Sequence, residues 1–152
     1  MDVKKIAAAI IVYKVLKRKK EQKVKRSCWV KPWIKRRAEL GVCFTLTREL
    51  EIEDAQQFRN FVRMNAVQVQ HIIELVGPKI VKKNTKMREA ISVYERVMVT
   101  LRFLATGDSY SSLQYLFRIP VCTIGRIVKE VAPAIYDALK DKYMKVKDFF
   151  TN

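Results

Sequence analysis

The sequence predicts an all-α fold, a multi-helix domain that contains a helix-turn-helix and follows a basic N-terminal helix or arm. Apolar residues recur at intervals of three and four along most of the chain, which is the spacing of a helix with one buried face. Residues that commonly begin and end helices stand at the edges of these stretches. No stretch of useful length alternates apolar and polar residues as a half-buried strand would. At 152 residues the chain can form one compact domain and a tail.

Residues 1–27 are predicted to form the basic helix or arm. Of the net charge of +16, most lies in residues 1–37, which contain 14 basic and two acidic side chains. The apolar run 6–13 is too short to span a bilayer. A basic block follows it and matches a nuclear localisation pattern, which predicts a nuclear protein. The block consists of Lys17, Arg18, Lys19 and Lys20.

This charge predicts a polyanionic partner. Nucleic acid is the commonest partner of such an arm, and an anionic membrane surface is the next. Membrane association through residues 6–13 and the basic block is the less favoured interpretation, and we do not expect it.

Residues 28–91 are predicted to be a helical N-terminal region. It starts with Trp29 and Trp33, which we expect in an extended segment because Pro32 disfavours a helical residue before it. Three helices should follow, over about 41–50, 53–64 and 66–76. Asn65 is the expected N-cap of the third, and Gly77-Pro78 its expected end.

Residues 92–143 are predicted to be a helix-turn-helix-like DNA-binding region, followed by a divergent tail, 144–152. A capping box, Ser92 with Glu95, begins a helix that should run to Thr106. Its predicted buried residues are Val97, Leu101, Leu104 and Ala105. Two helices joined by the turn 118–120 come next, and Pro133 is expected to kink or break the second before a last helix, 134–143.

The second helix of this pair presents two different faces. Ile124, Ile127, Val128 and Val131 form its predicted buried stripe. The opposite face is small or basic, which suits a helix that enters a major groove. It consists of Cys122, Thr123, Gly125, Arg126 and Lys129. An ordinary helical hairpin that only packs in a core is the alternative interpretation.

The predicted DNA-binding residues have separate roles. Arg126 is expected at or near base edges, since an arginine can form two hydrogen bonds to guanine. Cys122 lies on the same face. The remaining four are expected to contact phosphates, which position a protein without reading sequence. They are Thr123, Lys129, Arg118 and Ser109.

The sequence does not predict an enzyme. It contains no glycine-rich phosphate loop and neither the G-x-S-x-G nor the H-E-x-x-H motif. Cys28, Cys43 and Cys122 are far apart and His71 is the only histidine, so no local set of metal ligands is formed. We therefore expect no metal and no other cofactor, and the scattered thiols suit a reducing compartment.

Several segments, in order, resemble the N-terminal half of the Harbinger transposase-derived nuclease family. The similarity covers nearly the whole chain and is densest between residues 87 and 119. The matching segments include 29–33 (WVKPW), 39–41 (ELG), 58–61 (FRNF), 76–78 (VGP), 87–92 (MREAIS), 100–110 (TLRFLATGDSY) and 115–119 (YLFRI).

The resemblance implies a helical DNA-binding region that precedes a metal-dependent DDE nuclease domain. It also implies a separate Myb/SANT-like partner protein. The family's catalytic carboxylates have no counterparts here, because the chain diverges after residue 146. The expected function is thus a double-stranded-DNA-binding module of a truncated, transposase-derived nuclear protein. The alternatives are a module that binds the Myb/SANT-like partner, or the N-terminal fragment of a DDE nuclease from an incomplete gene model.

Overall fold

A computed structural model describes residues 10–14, 28, 30–86 and 89–143. The predicted localisation block, Lys17 to Lys20, lies outside these residues, as do Trp29 and the tail 144–152. The chain divides into two compact units, Met1–Lys31 and Pro32–Asn152. In the first unit, residues 10–14 are helical, as predicted for part of the basic arm.

The second unit is all-α in its described residues, which confirms the prediction of an all-α, multi-helix domain. Helices α3 and α4 pack together, α6 contacts α4, α5, α7 and α8, and α8 also packs on α5 and α7. The helices are α1 (Pro32–Lys35), α2 (Arg37–Leu40), α3 (Leu46–Glu53), α4 (Ala55–Val62), α5 (Ala66–Ile80), α6 (Val93–Thr106), α7 (Tyr110–Phe117) and α8 (Val121–Tyr143).

The predicted extended conformation around Pro32 is wrong from that residue onward. Pro32 is the first residue of α1, while Lys31 stays outside the helix. The first residue of a helix has no intrahelical acceptor for its N–H, and the proline ring already fixes a helical φ. Proline can therefore begin a helix while it restricts only the residue before it.

Side-chain caps fix the boundaries of the middle helices. Asp54 caps α4 by accepting a hydrogen bond from Gln57 N at 3.0 Å. Asn65 Oδ1 accepts one from Gln68 N at 2.8 Å and so begins α5, as predicted. The predicted end of this helix at Gly77-Pro78 is wrong. The helix continues to Ile80, which is 1 % exposed, and burying that side chain favours one more turn.

Helix α6 begins with the predicted capping box and lies at the centre of the unit. Ser92 Oγ accepts from Glu95 N at 3.2 Å, and Glu95 Oε2 accepts from Ser92 N at 3.0 Å. Val97 and Leu101 are buried as predicted, but Leu104 is 58 % exposed. Residues 95–101 are buried on every side of the helix, and the C-terminal turn is not. The spacing of apolar residues predicts which face of a helix is buried. It does not predict how far along the helix the neighbouring helices cover that face.

Helix α8 is one continuous helix of 23 residues, so the predicted break at Pro133 is wrong. Pro133 is exposed, whereas Ile135 is buried and Ala138 and Leu139 pack against the core. The apolar stripe thus continues past the proline and keeps the last turns on the core. No helix among the described residues has the length and apolar character needed to cross a membrane.

Candidate nucleic-acid interface

Helices α7 and α8 form a two-helix unit with one deeply buried side. Leu113 and Phe117 of α7, Ile119 of the turn, and Ile124 of α8 are all at most 2 % exposed. Helix α8 begins directly after the turn, where Pro120 O accepts hydrogen bonds from Thr123 N and Ile124 N at 2.8 and 3.0 Å. The side chain of Gln114 also accepts from Val121 N at 3.2 Å. The relation of the two helices is therefore fixed by packing and by the turn.

The opposite side of α8 carries an exposed stripe of predicted site residues. Cys122, Arg126 and Lys129 are exposed and Thr123 is half-buried. Within the described part of the chain, Arg126 and Lys129 form no ion pair. Both charges are therefore available to an external anion.

Gly125 does not belong to that exposed stripe, although the sequence placed it there. It is half-buried, and a Cβ at this position would lie 3.4 Å from the Tyr110 ring. The N-terminal turn of α7 thus packs against α8 at Gly125 and borders the exposed stripe on one side.

Arg118 has a structural role in the turn. Its Nη1 donates to Trp33 O at 2.8 Å and its Nε to Leu40 O at 3.1 Å. Its guanidinium also lies 5.9 Å from the centroid of the Trp33 ring, a distance at which cation and ring attract each other. These contacts hold α1 and α2 against the turn, so the predicted phosphate contact of Arg118 has no geometric support.

Ser109 is the N-cap of α7, where its Oγ accepts from Ser112 N at 3.1 Å. It is exposed and lies next to Tyr110, the residue that packs on Gly125. The predicted phosphate contact of Ser109 is therefore compatible with its position beside α8, because helix N-termini favour anions.

A carboxylate on the side of α8 is neutralised by two cations. Glu130 contacts Lys82 Nζ at 2.6 Å and Arg96 Nη2 at 2.7 Å. Partial burial would raise the pKa of Glu130, but the two basic partners outweigh it and hold that pKa below its ordinary value. Glu130 lies one turn after Arg126, so this neutralisation removes a charge that would repel a polyanion.

A charged pair that the sequence does not predict lies inside the unit. Arg37 Nε lies 2.8 Å from Glu95 Oε1, and the two side chains are 13 % and 4 % exposed. The N–H direction does not satisfy hydrogen-bond geometry, so this contact is electrostatic. The capping box accounts for Glu95, but nothing local to Arg37 predicts its partner.

The described residues do not form a metal centre. No group of three or more His, Cys, Asp or Glu side chains in residues 10–14, 28, 30–86 and 89–143 is arranged to hold a metal ion. His71 is on the exposed side of α5, as predicted.

Comparisons of the chain with protein-family models, with curated proteins and with solved structures found no match.

Proposed function

We propose that this chain is a double-stranded-DNA-binding module, in which the exposed stripe of α8 enters the major groove. The observation that carries the proposal is the pairing of a fully buried face with a small, basic exposed face on one helix. Arg126 contacts base edges, while Thr123, Lys129 and Ser109 contact phosphates and Cys122 allows close approach. The fixed turn to α7 supports this helix, as in helix-turn-helix proteins.

In this proposal the basic arm supplies sequence-independent affinity. Lysine and arginine side chains that neutralise phosphates release counterions from DNA. The same arm directs the protein to the nucleus through residues 17–20. The similarity of segments 87–92 and 100–110 to the Harbinger family supports a transposase-derived origin, and we propose no nuclease chemistry for this chain itself.

Replacing Arg126 with alanine tests the proposed groove contact. The parent would first be used to select binding sites from random duplexes. Arg126→Ala should then weaken binding to the selected site by roughly tenfold or more, since a good arginine–base contact is worth about 1–3 kcal/mol and about 1.4 kcal/mol corresponds to one decade. The thermal unfolding temperature should not change, because Arg126 is exposed.

Arg59→Ala is the matched control, since Arg59 is an exposed arginine on α4, outside the α7–α8 unit. It removes the same charge but should leave the preference for the selected site intact. If folded Arg126→Ala binds the selected site as tightly as Arg59→Ala does, the proposal that Arg126 contacts base edges is wrong.

A second candidate function is binding of a protein partner at an aromatic surface. Tyr115 is 72 % exposed and stacks on Trp33, with 5.9 Å between ring centroids. Exposed tyrosines with a fixed orientation are common at the centres of protein interfaces. A Myb/SANT-like protein, implied by the resemblance, would be the partner. Loss of its binding in Tyr115→Ala, with unchanged affinity for DNA, would favour this function.

A further inference from the structure

A short lysine-rich segment is held beside the exposed stripe of α8. This lysine connector, residues 81–86, follows α5 and contains Lys82, Lys83 and Lys86. Every described side chain in it is exposed. Lysines in a loop are normally only solvated. They can form a binding site for an anion when the rest of the protein holds the loop in one position.

Contacts at both ends fix the position of the lysine connector. Before it, Ile80 is 1 % exposed in the core, and Lys82 forms the 2.6 Å ion pair with Glu130 of α8. At its other end, Asn84 Oδ1 accepts a hydrogen bond from Ala90 N at 2.8 Å, and Ile91 returns to the core. The segment is therefore held to α8 by the ion pair of Lys82 with Glu130, and to the residues that precede α6 by the hydrogen bond between Asn84 and Ala90.

The lysine connector and α7 border the exposed stripe from different sides. Tyr110 of α7 packs at Gly125, whereas Lys82 contacts Glu130. Five residues correspond to about 140° around an α-helix, and Arg126 falls between the two positions. A DNA duplex that receives Arg126 in its major groove would thus meet α7 on one side and the lysine connector on the other.

We propose that the lysine connector is a second phosphate-binding element, which contacts the DNA backbone beside the groove that α8 enters. Lys82 anchors the segment through Glu130, and Lys83 and Lys86 contact phosphates. Neither of these two lysines forms an ion pair within the described residues. This inference rests on the proposed DNA-binding function and adds Lys83 and Lys86 to the residues that contact DNA.

The test compares the full chain with Lys83→Ala/Lys86→Ala on a short fluorescent duplex over a range of KCl concentrations. The slope of log affinity against log salt is negative, and its magnitude should decrease by about 1.8, since each phosphate contact contributes about 0.9. Arg48→Ala/Arg59→Ala is the control of equal charge, because these exposed arginines lie on α3 and α4. Its slope should stay close to that of the parent. Circular dichroism would verify that both variants are folded.

Hydroxyl-radical footprinting on the selected site gives a second measurement. Lys83→Ala/Lys86→Ala should lose backbone protection at one edge of the footprint and keep it at the centre. If the parent binds DNA and the lysine variant matches the arginine control in slope and footprint, the lysine connector is not a phosphate-binding element, and the proposed function stands. If the parent does not bind the duplex, both proposals are wrong.

Discussion

Arg37 and Glu95 form a charged pair in an interior where an unpaired charge would be costly. Their side chains are 13 % and 4 % exposed, and Arg37 Nη2 also donates to Ala90 O at 3.4 Å. The pair therefore connects α2 to the N-terminal turn of α6. Removing one member of a buried pair costs more free energy than the intact pair contributes to stability, because the remaining charge stays buried without a partner.

Glu95→Gln should lower the free energy of unfolding by about 3 kcal/mol or more, because Arg37 would lose its counter-charge. Glutamine can still act in the capping box, so the cap is retained. Ser92→Ala removes the cap alone and should cost about 1 kcal/mol. Urea denaturation followed by circular dichroism measures both. If Glu95→Gln and Ser92→Ala lower the free energy of unfolding equally, the charge of Glu95 does not stabilise the fold through Arg37.

The three cysteines should differ in reactivity. Cys43 is buried, and burial, together with the nearby Glu95 carboxylate, raises the pKa of its thiol far above the ordinary value. Cys28 and Cys122 are exposed. A thiolate-specific reagent at neutral pH should therefore modify two thiols rapidly in the native protein and Cys43 only after denaturation. Rapid modification of Cys43 in a Cys28→Ser/Cys122→Ser variant would contradict this.

At the scale of the helices, Gly125 lies where the Tyr110 ring of α7 packs on α8. A Cβ there would make an ordinary van der Waals contact with Tyr110, at 3.4 Å. Its backbone does not have a positive φ, so an alanine is compatible with the helix.

Gly125→Ala should therefore stabilise the protein by about 0.5–1 kcal/mol, because alanine is the better residue in the interior of a helix. Gly41→Ala is the opposite case, since its Cβ would lie 2.5 Å from Arg37 O and should destabilise the protein. Thermal unfolding of the two variants measures the difference. A lower unfolding temperature for Gly125→Ala would show that Tyr110 cannot accommodate the methyl group.

The sequence predicts helical features that depend on neighbouring residues. The caps at Asn65 and Ser92 and the buried stripe from Ile124 to Val131 are examples, and the structure confirms all of them. Helix ends were predicted less well at Pro78 and Pro133, where packing of later apolar residues outweighs the local effect of proline.

Features that depend on distant residues could not be predicted in this way. Arg118 binds Trp33 across 85 residues and Arg96 binds Glu130 across 34, so no local pattern records either contact. Helical spacing predicts that Arg126 is exposed, and the structure agrees. The spacing gives no sign that Arg118 contacts the backbone of Trp33 and Leu40, and only the fold shows this.

At the scale of the whole molecule, charge is distributed unequally along the chain. Residues 1–37 contain 14 basic and two acidic side chains, whereas residues 38–152 contain 17 and 13. The proposed groove contact depends on a few side chains of α8, and the proposed electrostatic affinity depends mainly on the arm. The two contributions can therefore be separated by experiment.

Deleting residues 1–27 should weaken binding to all DNA sequences by a similar factor and reduce the dependence on salt. Each lost phosphate contact reduces the magnitude of the slope of log affinity against log salt by about 0.9. The ratio between the affinities for the selected and an unrelated duplex should not change, because phosphate contacts carry no sequence information. Arg126→Ala should have the opposite effect. It should reduce the ratio between the affinities for the selected and the unrelated duplex, and change the slope of log affinity against log salt only slightly. If the deletion abolishes the ratio instead, the arm reads sequence and the division of roles proposed for the arm and α8 is wrong.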